Sequence, residues 1–312
     1  MAVLALDTSN YTTSVAVFDG QTGCNRSKLL EVRPGELGLR QSDALFQHVR
    51  ELPGLFEQLE RQGLLEGIAA VGASTRPREV EGSYMPCFLA GVNAAAAFAL
   101  GKGIPLIHTT HQQGHIAAAL FATGERELFE QENLVFHVSG GTTDLLLCQG
   151  AERITPLGTS QDLYAGQAVD RLGVKLGYPF PAGVYVSEQA AQCTEKVHPK
   201  VSVKGVNCSL SGLENQYTKL LAEGKDPAYV CKYCLICVAE TLTRMARAAL
   251  EDHPGLPVVF AGGVMSSDLI RTYVSARVPG ARFVPGKFAS DNAIGVSILA
   301  AREQGAWQTT SM

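Results

Sequence analysis

Charge is what this chain has least of. Only 18% of its 312 residues are Asp, Glu, Lys or Arg, and 26 basic against 30 acidic residues leave a net charge of −4. Domains that hold nucleic acid unaided are normally clearly basic. The composition carries no such footprint: no DNA partner is expected, and any RNA partner requires local patches or helper proteins. Long apolar runs are missing as well. The most apolar helical stretch, Ala90 to Leu100, is Ala-rich and far too short to span a bilayer. The amino terminus reaches Asp7 without the basic and apolar regions of a signal peptide, so a cytoplasmic protein with no membrane partner is expected. The eight cysteines include no paired CxxC modules, which argues against a disulfide framework and for a reducing compartment. Cys231, Cys234 and Cys237 recur at three-residue spacing within a helical pattern, where buried packing is expected of them.

The chain does have a large apolar fraction, 46%, and 32 glycines spread along its length. A prior of roughly 150 residues per domain suggests two lobes. Three segments share one design, a short β-branched or apolar run that ends in small or hydroxyl residues where backbone can approach a ligand. The first is a hairpin from Val3 to Asp19 that turns through Thr8 and Ser9. The second is a hairpin from Leu134 to Cys148 that turns through Ser139, Gly140, Gly141 and Thr142. The third is a buried strand from Pro257 that runs into Gly262 and Gly263 and then a helix. The two hairpins look like a duplication, one opening each lobe. Helical patterns lie between them, at Ser42 to Arg61 and Tyr229 to Leu250, and alternation of strands with helices predicts an α/β protein. A final helix, Asn292 to Arg302, is expected to return to the first lobe. The expected division is 1–128 with 292–312, against 129–291.

His111 and His115 are four apart, which on a helix stacks two imidazoles on one face, close enough to chelate one ion. The residues between them include no Glu to serve as the general base of a zinc peptidase. The best candidate for a third ligand is Asp291, just ahead of the final helix, although a helix N-cap is the plainer role for it. Two histidines and a carboxylate with open positions suit iron or zinc. The Ser139–Thr142 turn offers backbone N–H groups for a phosphate or mixed anhydride.

The two hairpins and the Gly-Gly unit together are the arrangement of the actin-like ATPase superfamily. Its fold would be two duplicated ribonuclease-H-like lobes with a nucleotide cleft between them. Within it the chain resembles the universal tRNA threonylcarbamoyladenosine transferases, formerly called O-sialoglycoprotein endopeptidases. His111 to His115 resembles that family's metal motif, Asp291-Asn292 its third-ligand motif and Val138 to Gly141 its phosphate turn. Ala165 to Asp170 and Tyr178 to Gly183 resemble two further motifs, which implies that Asp170 binds a ribose hydroxyl and that Gly183 lies near the nucleotide. Ser209 to Leu213 resembles a sixth.

The departures cluster elsewhere. The acidic pair of the first loop is absent around Asn10 to Thr12, and Thr142 replaces a His. Ser267 replaces an Asn at a nucleotide contact, and Arg76-Pro77-Arg78 stands where the family has a Gly-Pro-Gly loop. The resemblance implies an acyltransferase that moves a threonylcarbamoyl group from its adenylate to the exocyclic amine of the adenosine beside a tRNA anticodon. It would use one divalent metal ion, iron or zinc, and an adenine nucleotide (threonylcarbamoyl-AMP, AMP or ATP). Helper subunits are expected as partners, and no general base stands out. The alternatives are a metal-dependent carbamoyl transferase with a different small acceptor, and a non-catalytic nucleotide-binding paralogue or regulatory subunit. A non-haem iron oxygenase also shares the ligand set but not the strand-helix order.

Overall fold

The computed structural model describes residues 1–9, 11–32, 39–285, 292–305 and 307. The chain divides into two compact units: Met1–Glu130 with Ser290–Met312, and Gln131–Ala289.

Unit 1 is built on five strands with helices on both faces. In chain order these are β1 (Ala2–Ser9), β2 (Thr12–Phe18), β3 (Gly23–Leu29), α1 (Gln41–Glu60), β4 (Ile68–Ser74), α2 (Phe88–Lys102), β5 (Leu106–Thr109) and α3 (His111–Ala122). The sheet order is β3-β2-β1-β4-β5, antiparallel across β1, β2 and β3 and parallel across β1, β4 and β5. β1 is buried on both faces, which explains its unbroken apolar run rather than an alternating one. Leu4, Leu6, Val15 and Val17 pack with Leu52, Leu55 and Leu59 of α1 and with Ala95 and Ala99 of α2.

Unit 2 repeats the plan with β6 (Glu132–Val138), β7 (Thr143–Gln149), β8 (Arg153–Thr159), α4 (Ala165–Lys175) and α5 (Gly183–Ala191). A small hairpin of β9 (Ser202–Lys204) and β10 (Asn207–Ser209) precedes α6 (Ser211–Ala222), α7 (Pro227–Asp252), β11 (Val258–Ala261), α8 (Asp268–Ser275) and β12 (Ala281–Phe283). Its large sheet runs β12-β11-β6-β7-β8. Counted from the first strand of each unit, both five-stranded sheets have the order 3-2-1-4-5, with the same hairpins antiparallel and the same crossovers parallel. That is a duplicated ribonuclease-H-like topology. Phe136, Phe260 and Phe283 stack across β6, β11 and β12, with centroids 4.8 and 5.4 Å apart. Cys231, Cys234 and Cys237 of α7 are fully buried in this core, and burial pushes the Cys231 and Cys237 thiols up to about 12 and about 11.

The last helix, α9 (Asn292–Glu303), belongs to unit 1. It covers the face of the sheet opposite α1 and α2, and two glycines make the fit possible. A Cβ on Gly72 would meet Val296 and Ala300 at 3.0–3.1 Å, and one on Gly295 would fall 1.7 Å from the Gly114 carbonyl oxygen of α3. Backbone of α9 therefore lies directly on backbone of α3.

Candidate metal and nucleotide sites

α3 starts where it does because Thr110 caps it. Thr110 is extended (φ −104°, ψ 157°), its hydroxyl accepts from Gln113 N at 3.2 Å, and Gln113 Oε1 accepts from Thr110 N at 2.8 Å. The next orphan donors of the helix, His111 N and Gln112 N, donate to the carbonyls of Arg76 and Pro77 at 2.9 and 3.0 Å. His111 is thus fixed in the first turn with His115 one turn above it. Their Nε2 atoms are 3.1 Å apart and their rings lie at 76° to each other. An ion at about 2.05 Å from each nitrogen would subtend an angle of about 98°, between the tetrahedral and octahedral values. The donor set fits a divalent metal of the iron or zinc kind.

Behind His111 sits Asp7, whose side chain is 0% exposed and whose Oδ2 lies 2.9 Å from His111 Nδ1. Ser74 Oγ donates to the same oxygen at 2.6 Å, and Ser9 N donates to Oδ1 at 3.1 Å. Burial by itself would raise the Asp7 carboxyl. The His111 ring, Ser74 and the Ser9 N–H together outweigh burial and hold it below the usual carboxylate value. A charged Asp7 requires a proton on His111 Nδ1, which leaves the Nε2 lone pair aimed at His115 and at any shared ion. This is the carboxylate–histidine arrangement found behind metal ligands in general. Asp7 was not among the residues picked from sequence. Its one visible signal is a carboxylate within a run of residues otherwise suited to a fully buried strand.

Asp291, the expected third ligand, lies outside the described residues. Among the described residues no group of three or more His, Cys, Asp or Glu side chains forms a complete metal cage. Thr8 takes a different part from the one expected of it. It is 0% exposed, its hydroxyl donates to Cys87 O at 3.0 Å and accepts from Gly91 N at 3.1 Å, and so it ties β1 to α2 instead of facing a ligand. Ser9 contributes its backbone N–H to Asp7.

In unit 2 the Ser139–Thr142 turn is closed by its own groups. Ser139 N donates to Thr142 O, the two hydroxyls lie 2.9 Å apart, and Gly141 N donates to Ser139 Oγ at 3.2 Å. α4 abuts this turn so closely that a Cβ on Gly166 would stand 2.5 Å from Ser139 O. Gly262 has φ +103°, and a Cβ there would fall 2.2 Å from Val138 O; it lets the end of β11 pass the end of β6.

These close approaches frame a cavity of about 480 Å³. It is lined by Gly140, Asp170, Gly183, Gly263 and Ser267 from the sequence-based set, and also by Val184, Ser187, Glu188 and Ser266. Val184, Ser187 and Glu188 share the face of α5 that begins at Gly183, and Ser266 adjoins Ser267. Asp170 accepts from Ala182 N at 2.8 Å through Oδ1. Ser267 is only 6% exposed, and its hydroxyl is buried without a hydrogen-bond partner. A buried hydroxyl in that condition costs about 1–3 kcal/mol unless a ligand satisfies it. Ser139, Gly141, Thr142 and Gly262 do not line the cavity. The Ser209–Leu213 motif serves another purpose: Asp162 accepts from Leu210 N, Ser211 N and Ser211 Oγ, which knots the start of α6 to the segment before α4.

Known proteins resemble the chain in sequence and in fold. The pattern of the tRNA N6-adenosine threonylcarbamoyltransferase family matches residues 43–297. The tRNA N6-adenosine threonylcarbamoyltransferase of Streptococcus suis strain 05ZYH33 is 29% identical over 322 residues, covering 96% of this chain and 92% of its own length. That of Streptococcus pneumoniae strain ATCC 700669 is 29% identical over 307 residues, covering 93% and 89%. Among solved structures, full-length HypF in the phosphate- and nucleotide-bound form superposes with TM-score 0.65 at 12% identity, covering 98% of this chain and 47% of that one. Component A of (R)-2-hydroxyglutaryl-CoA dehydratase from Acidaminococcus fermentans gives 0.56 at 15% identity, covering 98% and 99%. At such identities these structures show the fold alone, and it is that of the actin-like ATPases.

Proposed function

The chain belongs to the tRNA N6-adenosine threonylcarbamoyltransferase family and is a transferase that modifies tRNA; on that premise we propose how its residues divide the work. The carbonyl of a threonylcarbamoyl group is transferred from its adenylate to the exocyclic amine of the adenosine beside the anticodon. The C–N bond forms, the bond between carbonyl carbon and phosphate oxygen breaks, AMP leaves, and the amine gives up one proton. That amine is a weak nucleophile because its lone pair is delocalised into the purine, so the acyl group must be activated and held.

The AMP portion is assigned to the unit 2 cavity, with Asp170 at the ribose, Gly183 and Gly263 where backbone must come close, and Ser267 at the base. Support comes from the convergence of these residues on one cavity and from the unsatisfied Ser267 hydroxyl. Within the Ser139–Gly141 turn, Gly140 is assigned to the phosphate and to the charge that develops as it departs, because it lines the cavity while the Ser139 and Gly141 N–H groups donate within the turn. One divalent ion, iron or zinc, would be held by His111 and His115 with Asp291 as third ligand, and would supply Lewis-acid polarisation. Asp7 keeps His111 in the tautomer that can bind it. The observation that carries this reading is the Asp7–His111–His115 relay, with its two Nε2 atoms 3.1 Å apart.

A net charge of −4 supports helper subunits that share in holding tRNA, and a tRNA acceptor supports a cytoplasmic location. No helix among the described residues is long and apolar enough to cross a membrane. The test is reconstitution with threonylcarbamoyl-AMP, unmodified tRNA and candidate helper proteins, read by mass spectrometry of tRNA nucleosides. Wild type should form the modified adenosine, and a His111→Ala/His115→Ala variant should lose both bound metal and product. Full activity in a metal-free double variant would refute the assignment.

A further inference from the structure

Away from the cavity and the histidine pair, unit 2 carries a connected set of arginines. α7 presents Glu240, Arg244 and Arg247 at helical spacing, and α8 carries Tyr273 in its last turn, with Arg277 just beyond its end. Glu240 Oε1 accepts from Arg244 Nε at 2.6 Å, and its Oε2 accepts from the Tyr273 hydroxyl at 2.9 Å. The Arg277 guanidinium lies 3.7 Å from the centroid of the Tyr273 ring, while its Nη1 donates to Tyr273 O at 3.0 Å. Arg277 O in turn accepts from Arg247 Nε and Nη2 at 3.3 and 3.1 Å. The chain of contacts runs Arg244, Glu240, Tyr273, Arg277, Arg247, and it joins three guanidinium groups to one carboxylate.

The imbalance is local and unrelieved. Glu240 is paired with Arg244, and Asp268 stands 3.8 Å from Arg271. Among the described residues, no carboxylate lies within ion-pair distance of Arg247 or Arg277. A purely structural account would have these side chains close the carbonyl end of α8, but one cation is enough for that. Here the Arg247 guanidinium bonds the Arg277 carbonyl, while the Arg277 guanidinium bonds the Tyr273 carbonyl and lies over its ring. Ordering lowers the rotamer entropy that a loose arginine loses on binding. The fork nitrogens not engaged with carbonyls suit bidentate contact with phosphate. α8 begins beside the cavity at Ser267 and its eight residues span about 12 Å, so Arg277 lies within a few nucleotides' reach of a base brought to the cavity.

We propose that Arg247 and Arg277, ordered by Tyr273 and Glu240, form a contact surface for the phosphate backbone of the RNA acceptor. This rests on the assignment of tRNA as acceptor made above. In a chain of net negative charge, such a surface supplies the local positive potential that the composition as a whole does not.

The test compares the full-length wild type, Arg247→Gln/Arg277→Gln and Glu240→Gln, each with fluorescently labelled unmodified tRNA between 50 and 200 mM salt, alone and with helper proteins. Each lost phosphate contact should reduce the slope of log affinity against log salt by about 1. The double variant should bind roughly tenfold more weakly near 100 mM salt, with AMP binding unchanged. Glu240→Gln removes the negative charge but keeps an oxygen that can accept from the Tyr273 hydroxyl, so both arginines stay ordered; tRNA should bind as tightly as before or tighter, whereas a network that only held the fold through the Glu240–Arg244 ion pair would weaken binding in that variant too. Equal tRNA affinity and salt slope in wild type and the double variant would overturn the proposal. So would lost binding to polyglutamate with tRNA binding intact, which would point to an acidic protein partner. Absence of tRNA binding by the wild type under every condition would instead remove the acceptor assignment itself.

Discussion

Replacing Gly295 with Ala should damage the protein in a way that ordinary helix propensity forbids. In an exposed helix interior Gly→Ala stabilises by about 0.8–1 kcal/mol. At position 295 the new Cβ would stand 1.7 Å from Gly114 O, 2.6 Å from Gly114 C and 2.9 Å from Ala118 N. All three are backbone atoms of α3, so no side chain can rotate away. Real Cβ atoms keep at least about 3.0 Å, so α9 and α3 must part by at least about 1.3 Å. A gap of 0.5–1 Å already forfeits a quarter to a half of the dispersion well along the contact, and overpacking adds about 1–3 kcal/mol. After the propensity gain the net loss is roughly 2 kcal/mol, which for a unit of this size lowers Tm by roughly 4–8 °C.

The displaced residue is Gly114, which lies between His111 and His115, so the histidine pair moves with it. Thermal unfolding with and without chelator, beside elemental analysis, reads both effects. Gly101→Ala on α2, where nothing lies within 4 Å of the new methyl, is the control and should raise Tm slightly. A Gly295→Ala protein with unchanged Tm and full metal content would refute the reasoning.

Three further outcomes are expected. Asp7→Asn should keep the fold but lower metal affinity about 10–100-fold by releasing the His111 tautomer, as measured by chelator competition. His48 is fully buried with its Nδ1 2.8 Å from Thr13 Oγ1, and burial depresses it from 6.5 to about 4. A base with a depressed folded value contributes full stability above about pH 6.5 and loses it as pH falls towards 4, about 2 kcal/mol by pH 5. Denaturant titrations at pH 7 and pH 5 should therefore differ by that much more in wild type than in His48→Gln. Ser267→Ala should stabilise the ligand-free protein by about 1 kcal/mol, by removing an unsatisfied buried hydroxyl, while AMP binds several-fold more weakly in calorimetry; tighter AMP binding would contradict its role at the base.

Each feature that the sequence made legible was local. The two hairpins announced themselves through apolar runs ending in small residues, and the equal strand order of the two sheets follows from the repetition of that unit. His111 and His115 were legible because a four-residue spacing on a helix has one geometric meaning. The hydrogen bonds of Thr8 were not legible because a hydroxyl that binds a ligand and one that ties strand to helix look alike until Cys87 O and Gly91 N are in place. Ser187 and Glu188 were passed over because nothing in α5 alone says which of its faces borders a cavity.

The sequence by itself determined the strands, the helices, the one-turn spacing of the histidine pair and the glycines, because backbone sterics and side-chain periodicity act over a few residues. Only the tertiary structure decided what stands behind and beside them. Asp7 reaches His111 across 104 residues, Gly295 meets Gly114 across 181, and Arg247 meets Arg277 across 30. Each of those pairings depends on how whole elements pack, and packing distances of a few tenths of an ångström are not written in any local pattern.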